Sequence, residues 1–357
     1  MAAPPSPDLD SKATSLQNHY ARYGVDVESS LSSRFIRLNP RWDAKETIQR
    51  LNDEASTSPT AVDWLHGFYA LPADFSLSKS PCFREGRVYG QDVSSGAAVA
   101  ALVSDRYDTE KGSVPPGNCH VLDLCCAPGL KLCALSDALP DAQLTGVDIS
   151  ENRLHLTAQI LRKYRVPNVR LYRDDGRTFS PETATLMHDS VVAEEILHVG
   201  RKRKNKSARA RERKRLKACA TETPVDGYDR VLVDAECSTD GSIKHLQKQP
   251  TSLMEREPEL VELQKGLLEH GFSLLKPNGW LVYSTCSLSE AQNENVVQWL
   301  LDKYSEAQLI EVSFGTDRPW IRDGTIKGTV RFTPHSDPLA GGGFFLAKLR
   351  RTSDEPP

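Results

Sequence analysis

From residue 119 onward, short apolar runs alternate with longer stretches in which apolar positions recur every three or four residues. The short runs, bounded by turn residues, predict buried strands, and the longer spacing predicts amphipathic helices. The strands fall at 119–125 (CHVLDLC), 143–149 (QLTGVDI), 169–174 (VRLYRD), 229–235 (DRVLVDA) and 280–286 (WLVYSTC). Helices are predicted over 131–139, 150–164, about 254–275 and 289–303, and GGFFLAKLRR supplies a last apolar strand. This rhythm predicts an α/β fold with a parallel, doubly wound, Rossmann-like sheet over residues 86–351. Upstream, RFIRLNP, DAKETIQRLND and TAVDWLHGFYALP read as strand, helix and strand, a small N-terminal α/β module over 34–85. Residues 1–33 are polar, with one short periodic stretch (SLQNHYARYG), and read as an N-terminus of partial order.

Composition changes this picture little. With 39% hydrophobic and 26% charged residues the chain reads as globular, and no apolar run approaches the roughly 20 residues of a membrane span. MAAPPSPDLDSK has neither the basic start nor the apolar centre of a signal peptide, so a cytosolic or nuclear site is expected. Eight cysteines, Cys82, Cys119, Cys125, Cys126, Cys133, Cys219, Cys237 and Cys286, are then expected as reduced thiols, and without a C-x-x-C pair no structural zinc is expected. Charge is distributed unevenly. Residues 201–217 hold eleven Lys or Arg against Glu212, a local +10 in a chain of net −3, which leaves −13 elsewhere. This basic run, an insertion at about 200–218, lies among the more than fifty residues between the third and fourth strands, where connections of that length are functional or disordered.

In such sheets ligands bind beyond the carboxyl ends of the strands. Asp123 ends the first strand, and Ala127, Pro128 and Gly129 form a tight turn before a helix starting near Lys131, which would leave backbone N–H groups for an anionic ligand. Asp148 ends the second strand about where an acid meets ribose hydroxyls, and Asp175 follows the third, offered to a base edge. Without G-x-G-x-x-G the pattern favours a nucleoside lacking phosphates, and S-adenosylmethionine fits; the competing reading of each acid is a helix N-cap. Cys237 and Cys286 follow the fourth and fifth strands at the same edge, where each alone is as readily a packing residue. Together they match a specific chemistry. Carbon 5 of cytosine attacks a methyl sulfonium only after a thiolate adds at carbon 6, and the reaction also needs an acid at N3 and a base for the C5 proton. Asp234, two thiols and an adenosine pocket form that inventory.

These residues resemble the NSUN (Nop/Sun) family of RNA 5-methylcytosine methyltransferases, from RFIRLNP to GGFFLAKL. YGQDVSSGAAVAAL, LDLCCAPGLK, GVDIS, DDGRTF, DAECS, YSTCS and GGFFLAKL look like the family's motifs in order. The resemblance implies a methyltransferase sheet with Cys286 as nucleophile and Cys237 as the thiol that releases product. Asp234 would protonate N3 and Lys131 would assist. Cys125, Cys126, Ala127, Pro128, Gly129, Leu130 and Lys131, with Asp148, Asp175 and Asp234, would hold S-adenosylmethionine, and residues 34–85 would contact RNA. Three positions depart from the family pattern: Leu130 and Leu132 replace a Gly and a Thr, and Glu236 stands where the family has proline. A carboxylate beside Cys237 would raise that thiol's pKa, and the turn would lose the rigidity of proline.

The resemblance implies an RNA partner, with tRNA preferred to rRNA; no membrane or metal partner is expected from the apolar runs and cysteine spacing, and the chain is expected as a monomer. The rivals are an inactive RNA-binding or ribosome-assembly factor that keeps the fold, and a DNA cytosine methyltransferase, which would need a Pro-Cys at 236–237. The basic run predicts a nuclear or nucleolar address, with a cytoplasmic site the alternative, and phosphate attraction; having no aromatic residue, it would position RNA without reading bases.

Overall fold

The computed structural model describes residues 18, 20–25, 33–55, 58–104, 119–190, 227–242, 255–315 and 318–353. The basic run 201–217 and Cys219 lie outside them. At the N-terminal end, β1 (Arg34–Leu38), β2 (Thr60–Ala61), β3 (Phe68–Leu71) and β4 (Val88–Tyr89) form an antiparallel sheet in the order β2-β3-β1-β4, with α1 (Ala44–Ala55) and the short α2 (Pro81–Arg84). Successive residues of β1 face opposite sides: Phe35 joins Leu65, Phe68 and Val93, whereas Ile36 joins Leu51, Leu71 and Cys82. The fourth strand falls beyond the module end expected at 85. Leu38 and Arg37 pair with Val88 and Tyr89, and a two-residue strand is too short to show a period in sequence.

Helix α3 (Val93–Val103) joins the module to the large domain. Eight of its eleven residues are buried, because it has the module on one side and the large sheet on the other. Gly96 allows this approach: a Cβ there would stand 2.3 Å from the Phe68 ring.

The large sheet has ten strands: β5 (His120–Asp123), β6 (Gln143–Asp148), β7 (Val169–Arg173), β8 (Thr185–Asp189), β9 (Tyr228–Asp234), β10 (Leu275–Thr285), β11 (Ala307–Ile310), β12 (Ile321–Asp323), β13 (Val330–Phe332) and β14 (Phe344–Arg351). Helices α4 (Leu130–Ala138), α5 (Glu151–Tyr164), α6 (Glu257–Ser273) and α7 (Glu294–Lys303) accompany it. The centre, β7-β6-β5-β9-β10, is parallel as the sequence pattern predicts. The edges are not: β8 pairs with β7, β14 with β10, and β11 and β13 with β14, all antiparallel. Parallel neighbours need crossover connections of a dozen or more residues; β12, β13 and β14 follow one another too closely for crossover helices. On β10, Trp280 and Val282 face one core and Leu281 and Tyr283 the other, so both faces are covered. The chain runs outward through β5, β6 and β7 and resumes at β9 on the far side of β5. The crevice beyond β5 and β9 is therefore where a ligand site belongs. Among the described residues no helix is long and apolar enough to cross a membrane, and no cluster of three His, Cys, Asp or Glu could hold a metal.

Candidate active site

At the carboxyl ends of β5, β6, β9 and β10 lies a cavity of about 430 Å³. Its wall includes Cys125, Ala127, Asp148, Asp175, Asp234, Cys237 and Cys286. Parallel pairing of β9 and β10 sets Asp234 opposite Ser284, so the loops that follow leave the sheet side by side and bring the Cys237 and Cys286 sulfurs to 3.2 Å. The contact with Cys237, burial and the charge of Asp234 push the Cys286 thiol well above its usual pKa, opposed by Lys131. Cys286 is thus neutral at rest, and whatever displaces Cys237 removes the leading cause. Beside the thiols, Lys131 Nζ donates to Asp234 at 2.5 Å, and Ser284 Oγ donates to the other carboxylate oxygen at 2.7 Å. Burial pulls the Lys131 ammonium down, but the charge and hydrogen bond of Asp234 outweigh it and hold the cation above the ordinary lysine range. A larger cavity of about 560 Å³, between Trp64 and Lys348, holds neither the thiols nor this ion pair.

The turn after β5 differs in part from expectation. The Cys125 N–H donates to Asp123, the Cys126 N–H to the Val147 carbonyl, and the Ala127 N–H to Asp148. None of the three is left for an anion. Cys126 is buried in the core, where its sulfur would stand 2.9 Å from a Cβ on Gly146. Pro128, Gly129 and Leu130 support the wall without lining the cavity. Gly129 is needed there: its φ is 98°, and a Cβ would meet the Thr157 methyl at 2.6 Å. Leu132 is fully buried and points at Gly146, so this departure is absorbed in packing. Asp148 is not the N-cap of α5; Ser150 is. The Asp148 carboxylate accepts from the Ser150 N–H at 2.9 Å and pairs with Arg153 at 3.2 Å. Asp175 is not free as expected, since Arg177 holds both of its oxygens, and that pairing draws its carboxyl below the ordinary range.

Two observations fit this cavity to S-adenosylmethionine. Its size lies within the roughly 300–1,000 Å³ of small-molecule sites. Ile149, next to Asp148, leaves 65% of its surface exposed on the wall, an apolar face for a base beside an acid for a ribose. Asp123 Oδ2 is buried without a hydrogen-bond partner among the described residues. Burial, then the nearby charge of Asp234, raises this carboxyl to about 7.

Glu236, expected to loosen the thiol turn, is tied at both its side chain and its carbonyl. Its carboxylate reaches out to Arg256 at 3.6 Å, and its carbonyl accepts from the Gln264 amide at 2.8 Å, a tie that steadies the turn where the family has proline. The sequence reading missed the network behind the thiols. Asp240 Oδ1 accepts from Ser238 Oγ at 2.6 Å and the Leu288 N–H at 3.2 Å. Gln292 bonds Ser238 through both ends of its amide, and Asn293 donates to the Ser287 carbonyl. The repeated Asp, Ser, Gln and Asn around both cysteines was the available signal.

Sheet and crevice define a Rossmann-like methyltransferase fold. The family described as 16S rRNA methyltransferase RsmB/F matches residues 192–350, and a methyltransferase domain family matches 121–217. The ribosomal RNA small subunit methyltransferase F of Aliivibrio fischeri is 26% identical over 336 residues, 91% of this chain and 59% of that protein. The corresponding enzyme B of Serratia proteamaculans is 26% identical over 328 residues, 91% of this chain and 61% of its own. The chain therefore spans about three fifths of these relatives. Among solved structures, NSun6 from Pyrococcus horikoshii superposes with a TM-score of 0.67 at 18% identity, covering 95% of this chain and 98% of that one. A methyltransferase homolog from the same organism gives 0.63 at 25% identity, covering 97% and 100%. Over nine tenths of its length, this chain is thus similar to ribosomal RNA small subunit methyltransferases F and B, and over nearly all of it to the NSun6 structure.

Proposed function

We propose that this chain methylates carbon 5 of a cytosine in RNA. The observation that carries this reading is the 3.2 Å contact of Cys237 and Cys286 beside the Lys131–Asp234 pair. S-adenosylmethionine, when bound, supplies the electrophilic methyl group. Asp148 and the wall at Ile149 would hold its nucleoside, and Asp234 borders both the cofactor cavity and the thiols. A cytosine entering beside Cys286 displaces Cys237 and removes the leading cause that keeps the nucleophile protonated. Cys286 gives its thiol proton to Asp234, which, steadied by Lys131 and Ser284, passes it to N3 as Sγ adds to carbon 6 and the C5–C6 π electrons become nucleophilic at carbon 5. After methyl transfer, Cys237 as a thiolate takes the C5 proton, the C5–H electron pair re-forms the C5–C6 double bond, and the S–C6 pair returns to Cys286, which frees the product.

The test separates the thiols. Cys286→Ala is expected to form no covalent RNA adduct on a denaturing gel, whereas Cys237→Ala accumulates one. Normal turnover by Cys237→Ala, or an adduct with Cys286→Ala, would reverse the assignment. The matched relatives are named for small-subunit rRNA, whereas the sequence reading favours tRNA; bisulfite sequencing of RNA from a knockout rescued with Cys286→Ala decides between them. The basic run 201–217 is proposed as a phosphate-binding and nuclear-address segment.

A further inference from the structure

The polar N-terminus supplies a part of the site that sequence reading left out. Tyr20 is 1% exposed and packs with Val25 against Leu288, two residues past Cys286. Its phenol donates to the Asp240 carbonyl at 2.9 Å, across 220 residues of chain. That carbonyl shares a peptide unit with the Gly241 N–H, which donates to the Cys286 carbonyl at 2.9 Å. A trans peptide is a rigid plane with its C=O and N–H on opposite sides. Turning the Asp240 carbonyl away from Tyr20 therefore turns the Gly241 donor away from Cys286. The preceding residue, Thr239, lines the cavity with φ of 55°, a left-handed conformation that a β-branched residue enters only at a cost. Such a loop must be held by its surroundings. Side chains of residues 238–292 supply most of the ties, and Tyr20 supplies one from outside that stretch.

We infer that Tyr20 is a positioning residue for the thiol pair: it fixes the 240–241 peptide plane and so holds the Cys237 loop in register with Cys286. The kinetic consequence rests on the proposed methyl transfer, but the geometric one does not. Full-length wild type, Tyr20→Phe and Tyr20→Ala are treated with diamide, a diazene that takes two hydrogens from a thiol pair to become a hydrazine, leaving a disulfide. The linked Cys237–Cys286 peptide is followed by mass spectrometry, with the melting temperature measured alongside. Tyr20→Phe removes only the hydroxyl and is expected to slow linkage about fivefold, the population shift that one net hydrogen bond supports, with the melting temperature lowered by only about a few degrees and the protein fully folded at the assay temperature. Linkage at the wild-type rate overturns the inference, as does slowing that merely tracks loss of folded protein in both variants. With RNA, Tyr20→Phe should form the adduct at the wild-type rate and resolve it several-fold more slowly. If wild type forms no adduct, the methyltransferase reading fails while the diamide result still decides the role of Tyr20.

Discussion

Asp123 shows how far a residue's chemistry departs from its letter. In sequence it is an acid at a strand end, but burial and the charge of Asp234 raise its carboxyl from 3.8 to about 7. Below about pH 4 both folded and unfolded chains hold this proton. Between there and pH 7 only the folded chain keeps it, so stability falls as pH rises and levels off above. The full effect is on the order of 4 kcal/mol. Denaturant melts of ligand-free protein from pH 4 to 8 should show this decline, and Asp123→Asn should remove most of it; equal slopes would mean Asp123 ionises freely. Cys237, Cys286, Asp234 and Lys131 were legible one by one, because each follows a recognisable strand or turn. The direction of Glu236, outward to Arg256, was not, because a side chain's heading depends on partners distant in sequence.

Among the elements, the central strands were the most legible, since buried parallel strands are continuous apolar runs. The start of α7 was less so. Apolar spacing predicts a helix from 289, but α7 begins at Glu294, and residues 287–293 turn their polar groups back to the thiol loops. Gln292 bonds Ser238 and receives the Gln264 amide at 3.2 Å, while its carbonyl accepts from Tyr283 at 2.6 Å. Gln292→Ala leaves buried donors and acceptors unpaired, and is expected to lower the unfolding free energy by about 2–3 kcal/mol. It should also slow adduct resolution. A loss below about 0.5 kcal/mol in urea melts would show that the network is not what holds the two loops together.

Across the whole molecule, the segregation of charge leads to a further test. Residues 201–217 carry +10 and the remainder −13, so a polyanion would be attracted to one segment and repelled by much of the rest. Deleting 201–217 should flatten the dependence of RNA affinity on salt, lowering the slope of log K against log salt by about 3 or more, and abolish nuclear accumulation. Unchanged slope and location would remove both roles. Local order along the chain determined the strand and helix alternation, the turn at Gly129 and the placing of acids and thiols at strand ends, because these follow from periodicity and from which residues tolerate a turn. The tertiary structure decided which loops meet. Register between β9 and β10 brings two sulfurs to 3.2 Å across 49 residues, and Tyr20 reaches Asp240 across 220. Contacts at such separations leave no periodic trace in sequence, since they arise only when the sheet closes and each buried polar group must find a partner.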